Sequence, residues 1–209
     1  MKKYTQLLLL AWVGTGALFT ASASAEVFVA PFAGYSFAAS EFDVIETHTN
    51  EQGKVKIAEA ANYGLMMGVT TNDPGNIYFL YSSQSTDLRN GGSFSADSVI
   101  DLTVDYFHIG GSLFFPNGNL KPYVTVSMGV TNIRPSGDYS NESRFSMGFG
   151  GGLEYEVTPT VSLFADVRGY ATFVNTDNAL FCHGGQCTWN IHADIMWQGQ
   201  ANAGVKLTF

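Results

Sequence analysis

Charged side chains are scarce in this chain. Of its 209 residues, 13% are Asp, Glu, Lys or Arg, about half the roughly 25% of soluble domains, which argues against an ordinary cytosolic enzyme. Cations are the scarcer sign, with Lys+Arg 10 against Asp+Glu 18, and so acidic a chain is a poor partner for nucleic acid. Cysteine occurs only twice, enough for one bridge. Internal repeats, linkers and low-complexity tracts are missing, so a single domain is the economical organisation. After residue 26, no apolar run reaches the roughly 18 to 20 residues that a membrane helix needs.

What is present is apolar and aromatic. The chain is 45% hydrophobic and 14% aromatic and holds 23 glycines, which excludes a disordered tail and leaves ample material to bury. Its first residues read as an export signal. Lys2 and Lys3 precede the uncharged run Leu7 to Phe19, and Ala23-Ser24-Ala25 supplies the small residues of a cleavage site before Glu26. Residues 1–25 are expected to be removed, leaving 26–209 as the domain, and no cysteine follows the site to carry a lipid anchor. The signal holds two lysines and no acid, so the remaining net charge is (10 − 2) − 18 = −10.

Segment after segment of the remainder alternates apolar and polar residues with the two-residue period of a β-strand. Tyr63, Leu65, Met67 and Val69 share one face of such a segment, and Asn62, Gly64, Met66 and Gly68 share the other. Eight segments are predicted, at about 27–37, 60–71, 76–88, 97–115, 120–134, 142–157, 160–174 and 189–209. Tight turns at Asn72-Asp73-Pro74-Gly75, Pro116-Asn117-Gly118-Asn119 and Thr158-Pro159-Thr160 alternate with longer polar loops at about 38–59, 89–96, 135–141 and 175–188. Short turns at one end and long loops at the other are the layout of a bacterial outer-membrane barrel, which puts both termini on the short-turn, periplasmic side. An open sheet edge in hydrocarbon would leave backbone groups without partners, so the sheet must close. The predicted fold is an all-β, eight-stranded, antiparallel up-and-down transmembrane barrel. A soluble β-sandwich would show a polar face richer in Lys, Glu and Thr.

The last segment carries the alternation to the end of the chain. Trp197, Gly199, Ala201, Ala203, Val205, Leu207 and Phe209 fall on one phase, with Gln198, Gln200, Asn202, Gly204, Lys206 and Thr208 on the other. At about 3.3 Å rise and a tilt near 40°, Trp197 and Phe209 stand roughly 30 Å apart in height, as two interfacial aromatic girdles would. Gly34-Tyr35, Ile77-Tyr78-Phe79-Leu80-Tyr81, Lys121-Pro122-Tyr123, the run Gly148-Phe149-Gly150-Gly151-Gly152 and the final Phe209 complete the pattern. The whole segment 27–209 resembles the small outer-membrane β-barrels that include the membrane domain of OmpA and OmpX-like proteins. The resemblance implies an outer-membrane location, contact with outer-membrane lipid and lipopolysaccharide, and recognition of the terminal strand, Trp197 to Phe209, by the barrel-assembly machinery. It implies no peptidoglycan-binding domain after the barrel, and it does not single out an activity.

An eight-stranded barrel is just wide enough for its own side chains to fill it. Asp101, Asp105, Arg144, Glu154, Asp166, Arg168, Asp194 and Lys206 are read onto the polar, inward phase, and enclosed charges of both signs predict a paired lumen network. Gly148, Gly150 and Gly152 are expected opposite Asp166, Arg168 and Tyr170, where they leave room for long side chains. One segment, 97–115, fits no single phase. Ile100, Leu102, Val104 and Tyr106 point outward in one half, and Phe107, Ile109, Leu113 and Phe115 in the other. A β-bulge near 107–111 would reconcile the halves and leaves the direction of His108 open.

Chemistry-bearing residues cluster in the last loop. Cys182 and Cys187 flank His183-Gly184-Gly185-Gln186 and read as a disulfide in an exported protein. A metal site from Cys182, Cys187, His183 and His192 is the alternative, but the spacing is not a standard zinc pattern. His192 and Asp194 share the inward phase near the outer rim, where they form a fragment of an active site or, with no nucleophile motif beside them, part of the lumen filling. The first loop sets Glu41, Asp43, Glu46, Glu51 and Glu59 against Lys54 and Lys56, a solvated acidic loop able to attract divalent cations. No catalytic residue, cofactor or metal is assigned. The functional expectation is a structural or surface-interaction role through the long loops on a rigid scaffold. A narrow pore comes second, and an enzyme acting on outer-leaflet lipid or peptides third.

Overall fold

The computed structural model describes residues 26–37, 41–46, 52–91, 98–137, 140–174, 180–183, 186–191 and 195–209. Eight strands form the wall: β1 (Val27–Phe37), β4 (Ala60–Thr70), β5 (Gly75–Gly91), β6 (Ser98–Phe114), β7 (Leu120–Pro135), β8 (Glu142–Thr158), β9 (Val161–Phe173) and β12 (Ile195–Thr208). Each pairs antiparallel with its neighbours, and β12 returns to β1, so the cylinder closes. Following paired residues once round the wall from Leu207 through Val29, Met67, Phe79, Ile109, Met128, Met147 and Ala171 leads to Trp197, ten residues back on the starting strand. That stagger is the shear a closed barrel of tilted strands requires.

The two-residue period decides what each side chain meets. On β7, Val124, Val126, Met128 and Val130 are exposed outward, while Tyr123, Thr125, Ser127 and Thr131 are buried inside. The turn end is held by tight hairpins. Asn117 and Leu120 exchange backbone hydrogen bonds of 2.8 and 3.3 Å across Gly118-Asn119, and Gly118 takes φ 63°, a left-handed value that glycine adopts without steric cost.

At the loop end the wall continues as further strands. β2 (Glu41–Glu46) and β3 (Gln52–Ile57) form a hairpin whose β3 pairs with the upper part of β5. β10 (Leu180–His183) and β11 (Gln186–Ile191) form another, and β11 pairs with β2. The first and last loops expected from sequence are therefore partly sheet, and residues 189–191 belong to β11 rather than to the terminal strand. Segment 98–114 also differs from expectation. Its register with β7 runs unbroken from Leu102 to Phe114, so there is no bulge at 107–111. From Leu102 onward the even phase points inward, carrying Leu102, Val104, Tyr106 and His108 into the lumen. The reason is chemical: the lumen at the loop end is filled by an apolar cluster including Ile57, Leu102, Val104, Ile133, Val174 and Met196. There the apolar phase of β6 faces the lumen and the polar phase, Asp101, Thr103 and Asp105, faces outward, so hydropathy marks the wrong side.

One irregularity lies in the seam between first and last strands. The ladder runs from Phe28↔Thr208 to Val29↔Leu207 and resumes only at Phe32↔Gly204. Phe209 N donates to Val27 O at 2.8 Å, so the odd residues of β1 are those bonding toward β12, and Pro31 falls on that phase without an N–H. Proline in a wall with no free edge is unusual. Pro31→Val should restore the bond to Val205 and raise refolding stability by about 1 kcal/mol. Urea titration in lipid vesicles checks this, and an unchanged or lowered midpoint would show that the seam gains nothing from the bond.

Candidate functional site

The lumen is organised around two residues of β9. Asp166 and Arg168 are two apart and share the inward face, and both are buried. Arg168 donates to Asp166 Oδ2 from Nε at 2.9 Å and from Nη2 at 2.8 Å. Its Nη1 donates to the Tyr78 hydroxyl at 3.1 Å, and that hydroxyl lies 2.5 Å from Thr125 Oγ1. Tyr123 donates to Asp166 Oδ2 at 2.9 Å, and Asn202 Nδ2 donates to Oδ1 at 3.0 Å. Asn62 then donates to Asn202 at 2.7 Å. An enclosed ion pair with both partners saturated in this way is tolerated where an unpaired charge is not.

The neighbouring strand leaves the space. The register sets Gly148 opposite Tyr170, Gly150 opposite Arg168 and Gly152 opposite Asp166. A Cβ on Gly150 would sit 3.0 Å from Arg168 Cα and 3.1 Å from its Cγ, and would collide with the Val167 carbonyl.

Toward the loop end the filling changes to uncharged polar groups and rings. The Tyr106 hydroxyl donates to Gln198 Oε1 at 2.5 Å, and Gln198 Nε2 donates to Gln84 Oε1 at 2.9 Å. Tyr106 stacks on Tyr170 with ring centroids 4.2 Å apart. His108 is fully buried and bridges three strands, with Nδ1 2.9 Å from Ser127 Oγ and Nε2 2.8 Å from Ser146 Oγ.

Toward the turn end two ion pairs close the mouth. Lys206 Nζ lies 3.0 Å from both Glu154 oxygens, between the rings of Phe28 and Phe114. Lys121 pairs with Glu156. Below them a vestibule of about 180 Å³ opens outward beside Thr70, Asp73, Lys121 and Lys206. Above them a cavity of about 20 Å³, lined by Phe28, Ala30, Tyr78, Phe164, Arg168 and Lys206, has room for one water.

Arg144, Glu154, Asp166, Arg168 and Lys206 thus stand on the inward face. Arg144 pairs with Glu142 at 3.0 Å near the loop end. Asp101 and Asp105 do not join them, which corrects the expectation from sequence. They share the outward phase of β6 with Phe107 and Ile109, because the apolar residues beside them fill the lumen instead. Asp105 is buried on the outside, against Arg134 at 2.5 Å and the Tyr81 hydroxyl at 3.3 Å. Trp197 faces outward with its ring edge-on to Phe149, 5.9 Å between centroids, and Phe209 stands exposed at the turn end.

His192 and Asp194 lie outside the described residues, as does Glu51. The backbone register sets Cys182 directly opposite Cys187, but their side chains, and those of His183, Glu41, Asp43, Glu46, Lys54 and Lys56, are outside what is described; Glu59 is exposed. Tyr106, read from sequence as outward, is buried inside. Lys121, Glu156, Tyr78, Tyr123, Gln84, Gln198 and Asn202 were not assigned to the lumen network from sequence. Their shared signal is a polar phase opposite an apolar one, and it is the same for any hydrated face.

The family profile described as "Outer membrane protein beta-barrel domain" matches residues 10–209. No curated protein matches the sequence. Among solved structures, Neisserial surface protein A is similar at 18% identity and TM-score 0.59, over 88% of this chain and 97% of that one. The outer membrane protein OprG from Pseudomonas aeruginosa is similar at 9% identity and TM-score 0.61, over 88% and 96%. The outer membrane protein AlkL is similar at 14% identity and TM-score 0.53, over 88% and 90%.

Proposed function

Because the chain belongs to the outer membrane protein β-barrel family, we propose that it serves in the outer membrane of a Gram-negative bacterium as a rigid scaffold whose loop end faces the cell surface. On this reading residues 1–25 are a cleaved signal, and both termini and the tight turns lie in the periplasm. The terminal strand, Trp197 to Phe209, presents itself to the barrel-assembly machinery, and the wall contacts lipid and lipopolysaccharide. The observation that carries the proposal is the contrast between the two regions. The described lumen is occupied by the Arg168–Asp166 network and closed by the Lys206–Glu154 pair, whereas the first and last loops are built into a sheet, β10-β11-β2-β3, that stands on the wall. A filled cylinder suits surface interaction or envelope reinforcement better than transport, and no catalytic role is proposed.

The proposal includes a disulfide between Cys182 and Cys187. Directly opposed residues on antiparallel strands sit about 4.5 to 5.5 Å apart at Cα, within the range a disulfide spans. Mass spectrometry of the alkylated protein without reductant should leave both cysteines unlabelled.

Planar-bilayer recording separates the proposal from its main rival. The purified protein should give no steady conductance, and deletion of residues 41–57 should leave the heat-dependent shift of electrophoretic mobility intact. Reproducible single-channel steps would favour the pore.

A further inference from the structure

Asp105 poses a physical problem. Ten residues separate it from the outward Phe115 at the turn end, which at about 3.3 Å rise and a tilt near 40° amounts to roughly 25 Å of height, the full thickness of the apolar band. A carboxylate on the outer wall at that level is costly unless it is paired. Asp105 is 2% exposed, and each oxygen has a partner: Tyr81 Oη donates to Oδ1 at 3.3 Å, and Arg134 Nη2 lies 2.5 Å from Oδ2. Tyr81 is itself braced by Phe107, with ring centroids 5.0 Å apart.

The effect of this arrangement falls on Arg134. Its side chain is 45% exposed, so a half-exposed guanidinium is held at the outer wall through Nη2, with no other partner for its N–H groups among the described residues. Thr103 is the direct cross-strand partner of Arg134, and Ser85 the partner of Thr103. All three lie on the outward phase, so their Cβ atoms follow one another at about 5 Å. A fixed guanidinium fork beside two hydroxyls is the donor set for a phosphate.

We propose that Arg134, oriented by Asp105 and Tyr81 and flanked by Thr103 and Ser85, binds the phosphate of an outer-leaflet lipid headgroup on the outside of the barrel. The leaflet assignment rests on the orientation proposed above; the site itself does not. The source of the phosphate follows from what stands farther along the wall. One row beyond Ser85 and Thr103, Asp87 and Asp101 are cross-strand partners on the same face. A phosphate arriving from bulk water would pass these two acids, whereas one carried by a lipid approaches from the apolar side.

The test uses the full chain in phosphatidylcholine nanodiscs doped with phosphatidic acid, whose headgroup is a phosphate monoester, with retained lipid counted by native mass spectrometry. Both leaflets contain the lipid, so the result does not depend on orientation in the cell. Wild type should retain phosphatidic acid in preference to phosphatidylcholine. Arg134→Gln should reduce that preference roughly tenfold, and Arg134→Lys, which keeps the charge but loses the fork, should fall between. Arg144→Gln, which changes an inward cation, should retain the wild-type preference. Should Arg134→Gln fail to fold, the lysine variant decides alone. Equal retention by wild type and the Arg134 variants would overturn the site. The lipid assignment would fall if inorganic phosphate in detergent shifted the Arg134 side-chain NMR signals as strongly as the lipid does.

Discussion

Arg168→Ala should lower refolding stability by about 3 to 5 kcal/mol, the cost of leaving an enclosed charge without its partner. Asp166 would keep Tyr123 and Asn202 as donors, but two neutral hydrogen bonds do not replace a guanidinium that reaches the carboxylate from two nitrogens. Tyr78 would lose the same donor. Asp166→Asn is the informative companion. It keeps an acceptor for Tyr123 while removing the charge, yet it leaves the enclosed Arg168 uncompensated, so it too should destabilise, though by less if the amide relaxes toward the guanidinium. Equilibrium urea unfolding in lipid vesicles reads both. An unchanged midpoint for Arg168→Ala would mean that water reaches Asp166 freely and that the lumen is not closed as described.

Gly150→Leu should cost at least about 3 kcal/mol and prevent formation of the compact, detergent-resistant species. The cause here is proximity, since Gly150 has no left-handed backbone to protect. Its missing Cβ faces the Val167 carbonyl and the Cα of Arg168, and backbone atoms of a closed wall have nowhere to retreat. Gly151, the next residue, points outward, and a Cβ there would meet only the Tyr123 carbonyl at 3.2 Å. Gly151→Ala should therefore fold, with at most a small adjustment of the neighbouring strand. Electrophoresis with and without boiling distinguishes the two variants, and equal behaviour would remove the close-approach explanation of the glycine run.

These two sites also show what the sequence made legible. The spacing of Gly148, Gly150 and Gly152 against Asp166, Arg168 and Tyr170, joined by the turn at Thr158-Pro159-Thr160, was enough to set the β8–β9 register, because a tight turn leaves little freedom in pairing. The alternation from Trp197 to Phe209 marked the outer face of β12 for a similar reason: its inward residues are polar. On β6 the apolar phase near the loop end faces inward, where Leu102 and Val104 fill the lumen with Ile133 and Met196, so a reading that puts the apolar phase against lipid comes out reversed there. That misassignment placed Asp105 inside and hid the cluster with Arg134. The Tyr–Gln–Asn chain was invisible for the opposite reason, since polar residues on one face look alike whether they meet water or each other. The first and last loops were read as loops because short extension strands, such as Glu41–Glu46 and Leu180–His183, are defined by their neighbours more than by their own pattern.

The central claim is that the even residues of β7 touch hydrocarbon while its odd residues, Tyr123, Thr125, Ser127 and Thr131, are enclosed in the lumen. Nitroxide labels placed one at a time at positions 123 to 134, in the protein reconstituted into vesicles, test it through relaxation by oxygen and by a water-soluble nickel complex. On β7 the exposed residues are Val124, Val126, Met128 and Val130, so labels on the even positions should respond to oxygen and those on Tyr123, Thr125 and Ser127 to neither reagent. The response should pass to nickel at Arg134. Oxygen accessibility that follows the odd positions, or nickel reaching Thr125, would contradict the account.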